Sequence, residues 1–365
     1  MGFSCGIVGL PNVGKSTLFN ALTKTASAQA ANYPFCTIEP NQGRVNVPDP
    51  RLDKIAKIAH SAKIIPTTLE FVDIAGLVRG ANKGEGLGNQ FLGHVRSVEA
   101  IIHVLRCFED DDITHVETTV DPLRDKEIIE TELLLSDMDY LERRKVALEK
   151  KARGNDAGAK ETLILIDKIL PALQEGKCAR YLELSSEEKE ILESLNLLTA
   201  KPVLYVCNVK EEEAVTGNAW THKVIEMAAK EDAGAVIISA AIEAEVASLP
   251  PEEQKEFLET LGLSASGLDQ TIAKGYGLLD LLTFFTVGPK EARAWTTTKG
   301  ATAPQAAGKI HSDFERGFIC AETIAYEDFI ACQGEAGAKE AGKLHQNGKD
   351  YVAKDGDIFH FRFNV

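Results

Sequence analysis

The sequence predicts an α/β chain: a domain built on a parallel sheet, interrupted by an antiparallel helical hairpin, then a small α+β domain. Three observations carry this. Short apolar runs at 3–8, 68–73, 100–107, 203–207 and 235–240 are separated by segments of helical spacing, as in a parallel sheet buried on both faces. From 125 to 200 the pattern is helical throughout. Beyond Leu278 it alternates with period two, at 282–287 and 292–296, with further strands at 318–324 and 357–363. The expected domains are 1–278, including the 125–200 insertion, and 279–365.

The first run ends in Ile7-Val8 and leads directly into Gly9-Leu10-Pro11-Asn12-Val13-Gly14-Lys15-Ser16-Thr17, after which apolar residues recur at helical spacing. This is G-x-x-x-x-G-K-[ST] in its strand–loop–helix setting, a phosphate-binding loop, and it places the first domain among Ras-like P-loop NTPases. Gly9 and Gly14 let the backbone wrap phosphates. Lys15 neutralises the β/γ-phosphates, and the Ser16 hydroxyl reaches Mg²⁺. Tyr33-Pro34-Phe35-Cys36-Thr37 lies where nucleotide switches keep a threonine ligand to that metal, so Thr37 is the candidate.

The run at 68–73 ends in Asp73-Ile74-Ala75-Gly76, a D-x-x-G motif. Asp73 is expected to hold Mg²⁺ through water, and the Gly76 N–H to sense the γ-phosphate. Ras-like switches follow this glycine with a Gln that orients the attacking water; here Leu77 stands instead. Hydrolysis then uses another group or runs slowly until a partner assists; His115, past the strand at 100–107 in a polar, acidic loop, is the catalytic candidate beside Lys15, the alternative being a surface histidine.

In the hairpin, Leu134, Met138, Leu141 and Leu148 form one seam and Leu163, Ile166, Leu170 and Leu173 the other, with Pro171 expected to kink or end the return helix. Residues 142–160 hold seven Lys/Arg against Glu142, Glu149 and Asp156, a local positive excess. That tip suits a solvated helix end or a docking surface for RNA phosphates or an acidic protein. Ser185-Ser186-Glu187-Glu188 marks a further helix start.

The strand at 203–207 ends at Asn208-Val209-Lys210-Glu211, where guanine-specific switches have N-K-x-D. Val209 offers no aliphatic stem and Glu211 carries its carboxylate one methylene too far. Losing that pairing geometry removes a discrimination of ~10⁴. Ser239-Ala240 ends the last strand on the base side. Asn347-Gly348-Lys349-Asp350 resembles the motif but is set aside because no strand is expected before it.

Net charge is −15 on 365 residues, which argues against a generally basic nucleic-acid coat but not against a local patch. The seven cysteines are scattered and never spaced C-x₂-C, so a disulfide framework and a zinc site are not expected; Cys5, Cys107 and Cys207 fall in expected strands. No apolar run approaches membrane-spanning length, and a cytoplasmic, membrane-free, monomeric protein is expected.

These motifs, with Asn32-Tyr33-Pro34-Phe35-Cys36-Thr37-Ile38 and the C-terminal tail, resemble the Obg-like ATPase family (the YchF/Ola group) over essentially the whole length. The resemblance implies a C-terminal TGS domain of β-grasp fold, ATP preferred over GTP, Mg²⁺ dependence, and association with the ribosome (large subunit and 70S, through rRNA or ribosomal protein). It matches Ser16 and Thr37 to metal ligands, and Asn12, Val13, Gly14, Lys15, Ser16, Thr17 and Val209 to nucleotide contacts. An ATP-hydrolysing switch is the reading; its rivals are an Obg-type GTPase and a non-catalytic ribosome- or RNA-docking adaptor.

Overall fold

The computed structural model describes residues 3–30, 42–74, 87–114, 116–154 and 156–364. They form two compact units, Met1–Val45 with Glu70–Thr271, and Asn46–Leu69 with Ile272–Val365.

The first unit is built on a six-stranded sheet in the order Gln42–Asn46, Thr68–Asp73, Ser4–Val8, Ala100–Arg106, Val203–Asn208, Gly234–Ile238. From Thr68–Asp73 through Gly234–Ile238 every pairing is parallel. The strands Ala100–Arg106 and Val203–Asn208 are buried along their whole length. This explains their largely apolar runs, since helices cover both faces of such a sheet. A parallel sheet also gathers its strand ends on one edge, and ligands bind there. Here that edge carries the phosphate loop after Val8, Asp73, the loop after Arg106, Asn208 and Ser239.

The hairpin consists of Pro122–Arg153 and Ala157–Gln174. Asp121 caps the first helix by accepting from Leu123 N and Arg124 N, and Pro122 occupies its first turn, where no N–H is needed. Leu134, Leu141, Ile166, Leu170 and Leu173 are buried in one cluster, while Met138 and Leu148 pack at its margin. On the return helix the seam shifts from expectation: Leu165 and Ile169 are buried, and Leu163 is half-buried. Pro171 does not end that helix, which continues to Gln174, because the C-terminal turn needs few further bonds. Asp137, fully buried, anchors the hairpin to the 198–200 turn by accepting from Leu198 N, Thr199 N and Thr199 Oγ1. Burial raises its pKa, and those bonds oppose the rise. Ser185 and Glu188 form the expected capping box.

The second unit has a mixed six-stranded sheet, ordered His345–Asn347, Phe318–Ile324, Ile358–Phe363, Leu281–Val287, Ala292–Thr298, Ile64–Ile65. Its two apolar faces have separate covers. Ala303, Ala306 and Ala307 pack with Phe284, Phe359 and Phe361. Leu52, Ile55 and Ala56 of the helix Pro50–Ala59 pack with Phe285, Ile324 and Ile358. Residues 46–69 thus join the C-terminal unit, whereas the sequence reading kept them within 1–278. Arg51 fastens them, bonding Asp49 and reaching Asp355 at 2.6 Å. Two helices, Ala303–Ile310 and Ser312–Arg316, follow Ala292–Thr298, broken where His311 is extended (φ −160°). Cys107 lies one residue beyond its strand, still buried. Asn347 does close a short strand, contrary to expectation, but that strand is the edge of the second sheet.

Candidate functional site

The phosphate loop owes its shape to three residues at positive φ. Gly9 sits at +156°, and a Cβ there would lie 2.5 Å from the Val104 carbonyl. Gly14 sits at +100°, where a Cβ would fall on the Asn208 amide. Asn12 tolerates +62°, a conformation open to Asn at modest cost. The helix Lys15–Ala30 begins as Leu18 N donates to Gly14 O, with Ser16 and Thr17 exposed on its first turn.

Lys15 is 7% exposed and its Nζ donates to Leu10 O at 2.6 Å. Burial lowers its pKa to about 8, against the pull of Asp73. Asp73 is raised by burial and lowered by Lys15. The sheet register brings them together, since Ile7 pairs with Asp73 at the mouth of the loop.

Asn208, 4% exposed, joins two walls of the site. Its Nδ2 donates to Val13 O at 3.0 Å, and its Oδ1 accepts from Ala240 N at 2.9 Å. Val209 is buried, and its N–H pairs with Ile238 O. Lys210 and Glu211 stand exposed at the rim, where the short turn Glu211–Glu213 begins. Ser239 starts the helix Ala240–Val246 without capping it, and its buried Oγ has no hydrogen-bond partner. Asn12, Gly14, Thr17, Asn208, Val209, Glu211, Ser239 and Ala240 all line one cleft of about 760 Å³, a volume suited to a nucleotide. Phe108, Asp110 and Ile113 line it as well.

The sequence reading missed what shapes that last wall. Arg106, 2% exposed, donates to the carbonyls of Phe108 (3.1 Å), Asp110 (3.2 Å) and Ile113 (2.9 Å). Its guanidinium also lies 4.6 Å from the Phe108 ring centroid. Asn12 Nδ2 secures the far end of the loop by donating to Thr114 O. An arginine closing an apolar strand was the available signal, because a buried guanidinium must find acceptors. Thr37, Gly76 and His115 lie outside the described residues, as does Leu77. His103 is buried, held neutral with a pKa of about 3 by burial and nearby cations, and lies within a strand rather than at its end.

A ribosome-binding ATPase YchF of Haemophilus influenzae is 58% identical over 365 residues, and one of Escherichia coli O157:H7 is 57% identical; both alignments cover the whole of each chain. The chain belongs to the YchF family. Residues 281–364 match the YchF-GTPase_C family, described as a protein of unknown function, and residues 4–136 match the 50S ribosome-binding GTPase family. The YchF GTPase of Schizosaccharomyces pombe superposes with a TM-score of 0.89 at 40% identity, covering 99% of this chain and 98% of that one. In this YchF-family chain, the match at 4–136 contains the phosphate loop, Asp73 and Arg106, while Asn208 and Ser239 lie beyond it.

Proposed function

We propose that this chain is an ATP-hydrolysing switch of the cytoplasm that binds ATP in preference to GTP, uses Mg²⁺, and associates with the ribosome through its large subunit. The observation carrying the nucleotide reading is the pair of hydrogen bonds made by the Asn208 amide. One N–H and one lone pair of its amide hold Val13 and Ala240 in place, so Asn208 builds the wall and base choice falls to what surrounds it. That surrounding is a buried Val209, the Glu211 carboxylate at the rim, the unpartnered Ser239 hydroxyl and the backbone of Ala240. None of these supplies the Lys stem and Asp carboxylate that select guanine. The relatives' names, which specify an ATPase and ribosome binding, support both halves of the proposal.

The residues fit Mg²⁺, a hard cation that takes one or two protein oxygens and keeps water and phosphate for the rest. Ser16 is exposed at the start of its helix, and Asp73 ends the adjacent strand; among the described residues no cluster of three His, Cys, Asp or Glu competes for a metal. Ser16 and Thr37 would hold the ion, with Asp73 acting through water. Bound there, Mg²⁺ supplies charge neutralisation at the β/γ-phosphates. Lys15 brings an ammonium to the same oxygens, and the Asn12–Thr17 backbone cradles them. The Gly76 N–H senses the γ-phosphate, and His115 takes the water-orienting role that Leu77 cannot fill. The C-terminal unit corresponds to the TGS domain, and the protein acts as a monomer. Titration of ATP and GTP against the purified protein tests this reading. Tighter ATP binding is expected; equal or tighter GTP binding would overturn it.

A further inference from the structure

Resting on the ribosomal reading above, we infer that the distal end of the helical hairpin docks on the phosphate backbone of RNA through Lys150, Lys151 and Arg153. The helix Pro122–Arg153 has 32 residues, about 48 Å of length. Its fully buried side chains stop at Leu141. The remaining turns, residues 142–153, extend for about 18 Å, and none of their side chains is buried. This end adds little to the core.

The charges there are sorted. Arg143 pairs with Asp139 at 2.7 Å, and Lys145 with Asp167 at 2.6 Å. Arg144 donates to Tyr140 Oη. Of the nearby carboxylates, Asp156 is used to cap the return helix, and Glu149 acts on Lys145. Lys150, Lys151 and Arg153 have no hydrogen-bond or ion-pair partner among the described residues, and all three are exposed. Cations also suit the negative end of a helix dipole. Some exposed lysines elsewhere do find carboxylates, as Lys168 does with Glu188 and Lys230 with Glu226. In a chain of net charge −15, three cations within four residues and without partners form a distinct local surface.

At 100° per residue the three spread over about 160° of the helix circumference. A single acidic patch on a protein would meet one side of that arc. A continuous polyanion meets any of it, because phosphate contacts need charge and reach rather than a matching side-chain pattern. Val146 and Ile164, 56% and 69% exposed, add uncovered apolar surface to the same arm.

The test uses the full-length protein with salt-washed bacterial 70S ribosomes and, in parallel, protein-free rRNA extracted from them. Lys150→Glu/Lys151→Glu/Arg153→Glu should weaken both associations about tenfold or more. It should also flatten the log–log salt dependence by roughly 2–3, at ~0.7–0.9 per lost contact. Unchanged ATP affinity would show that the variant is folded. Arg143→Gln/Lys145→Gln, which removes cations already paired, should leave the slope near that of the parent. Unaltered affinity and slope in the triple variant would overturn the inference, with the ribosomal reading intact. So would loss of ribosome binding without loss of rRNA binding, which would make the partner a protein. Failure of the parent protein to sediment with ribosomes at low salt would overturn the ribosomal reading itself, and this inference with it.

Discussion

Replacing Asn208 with Ala tests whether the site is assembled by one amide. The substitution strands two backbone groups, the Val13 carbonyl and the Ala240 N–H, both now paired to a side chain that is 4% exposed. A buried polar group left without its partner costs about 1–3 kcal/mol. The cleft is open enough to admit water, so the lower figure applies to each, giving about 2 kcal/mol in all. If that cost falls on the arrangement that receives nucleotide, affinity drops roughly 30-fold, at 1.4 kcal/mol per factor of ten. Asn208→Asp should be at least as damaging, because it keeps the acceptor for Ala240 N but turns a carboxylate against the Val13 carbonyl. Fluorescent-nucleotide titration and urea unfolding measure the two places the cost can appear. Since Asn208 positions rather than discriminates, ATP and GTP should weaken by the same factor. Affinity within threefold of the parent, with an unchanged urea midpoint, would refute the assembly argument. Selective loss of ATP would show that Asn208 touches the base.

Lys15 has a folded pKa of about 8, below its ordinary 10.5. Between those values the folded protein binds fewer protons than the unfolded chain, so the nucleotide-free protein should gain stability as pH rises through that window. Phosphate binding favours the ammonium, so ATP affinity should be flat below pH 8 and fall by up to tenfold per unit above it; calorimetry in buffers of different ionisation enthalpy should detect proton uptake there. Lys15→Ala should abolish this dependence and cost hydrolysis about 10²–10³-fold, the scale of a preorganised charged contact. Arg106→Met should weaken ATP binding by releasing the 108–114 wall, while Arg106→Lys, with fewer donors, should recover only part of it; equal affinity in all three proteins would remove Arg106 from the site. His115→Ala should lower turnover with ATP affinity nearly unchanged, the pattern of a contact made in the transition state. Ile55→Ala, at a fully buried position, should cost about 2–5 kcal/mol, and hydrogen exchange should place the loss in the strands at 281–298 and 318–363 rather than 100–106.

That last experiment bears on how the chain can be divided. Removing residues 279–365 would strip the helix Pro50–Ala59 of the sheet it covers, leaving Leu52 and Ile55 exposed. Docking on the C-terminal unit is therefore better probed by surface substitution than by truncation.

The sequence alone determined the elements whose signal is local. Glycines at 9 and 14, followed by Lys15 and Ser16, specify a phosphate loop because only glycine enters those turns freely and because a helix must start there. Largely apolar runs at 100–107 and 203–207 specify central parallel strands, since both faces need burial. Ser185 and Glu188 specify a helix start by reciprocal bonds three residues apart. Tertiary structure decided whatever depends on partners distant in the chain. Nothing in the amphipathic pattern of 50–59 tells which sheet its apolar face will cover, and it covers one formed more than two hundred residues later. Leu165 and Ile169 replace Leu163 in the hairpin because burial there is shared with the 178–198 segment, which a two-helix seam ignores. The role of Asn208 was likewise hidden. It acts through a carbonyl and an N–H of kinds that every residue possesses, 195 and 32 residues away, so the sequence carries no mark of the bonds until the strand ends are brought side by side.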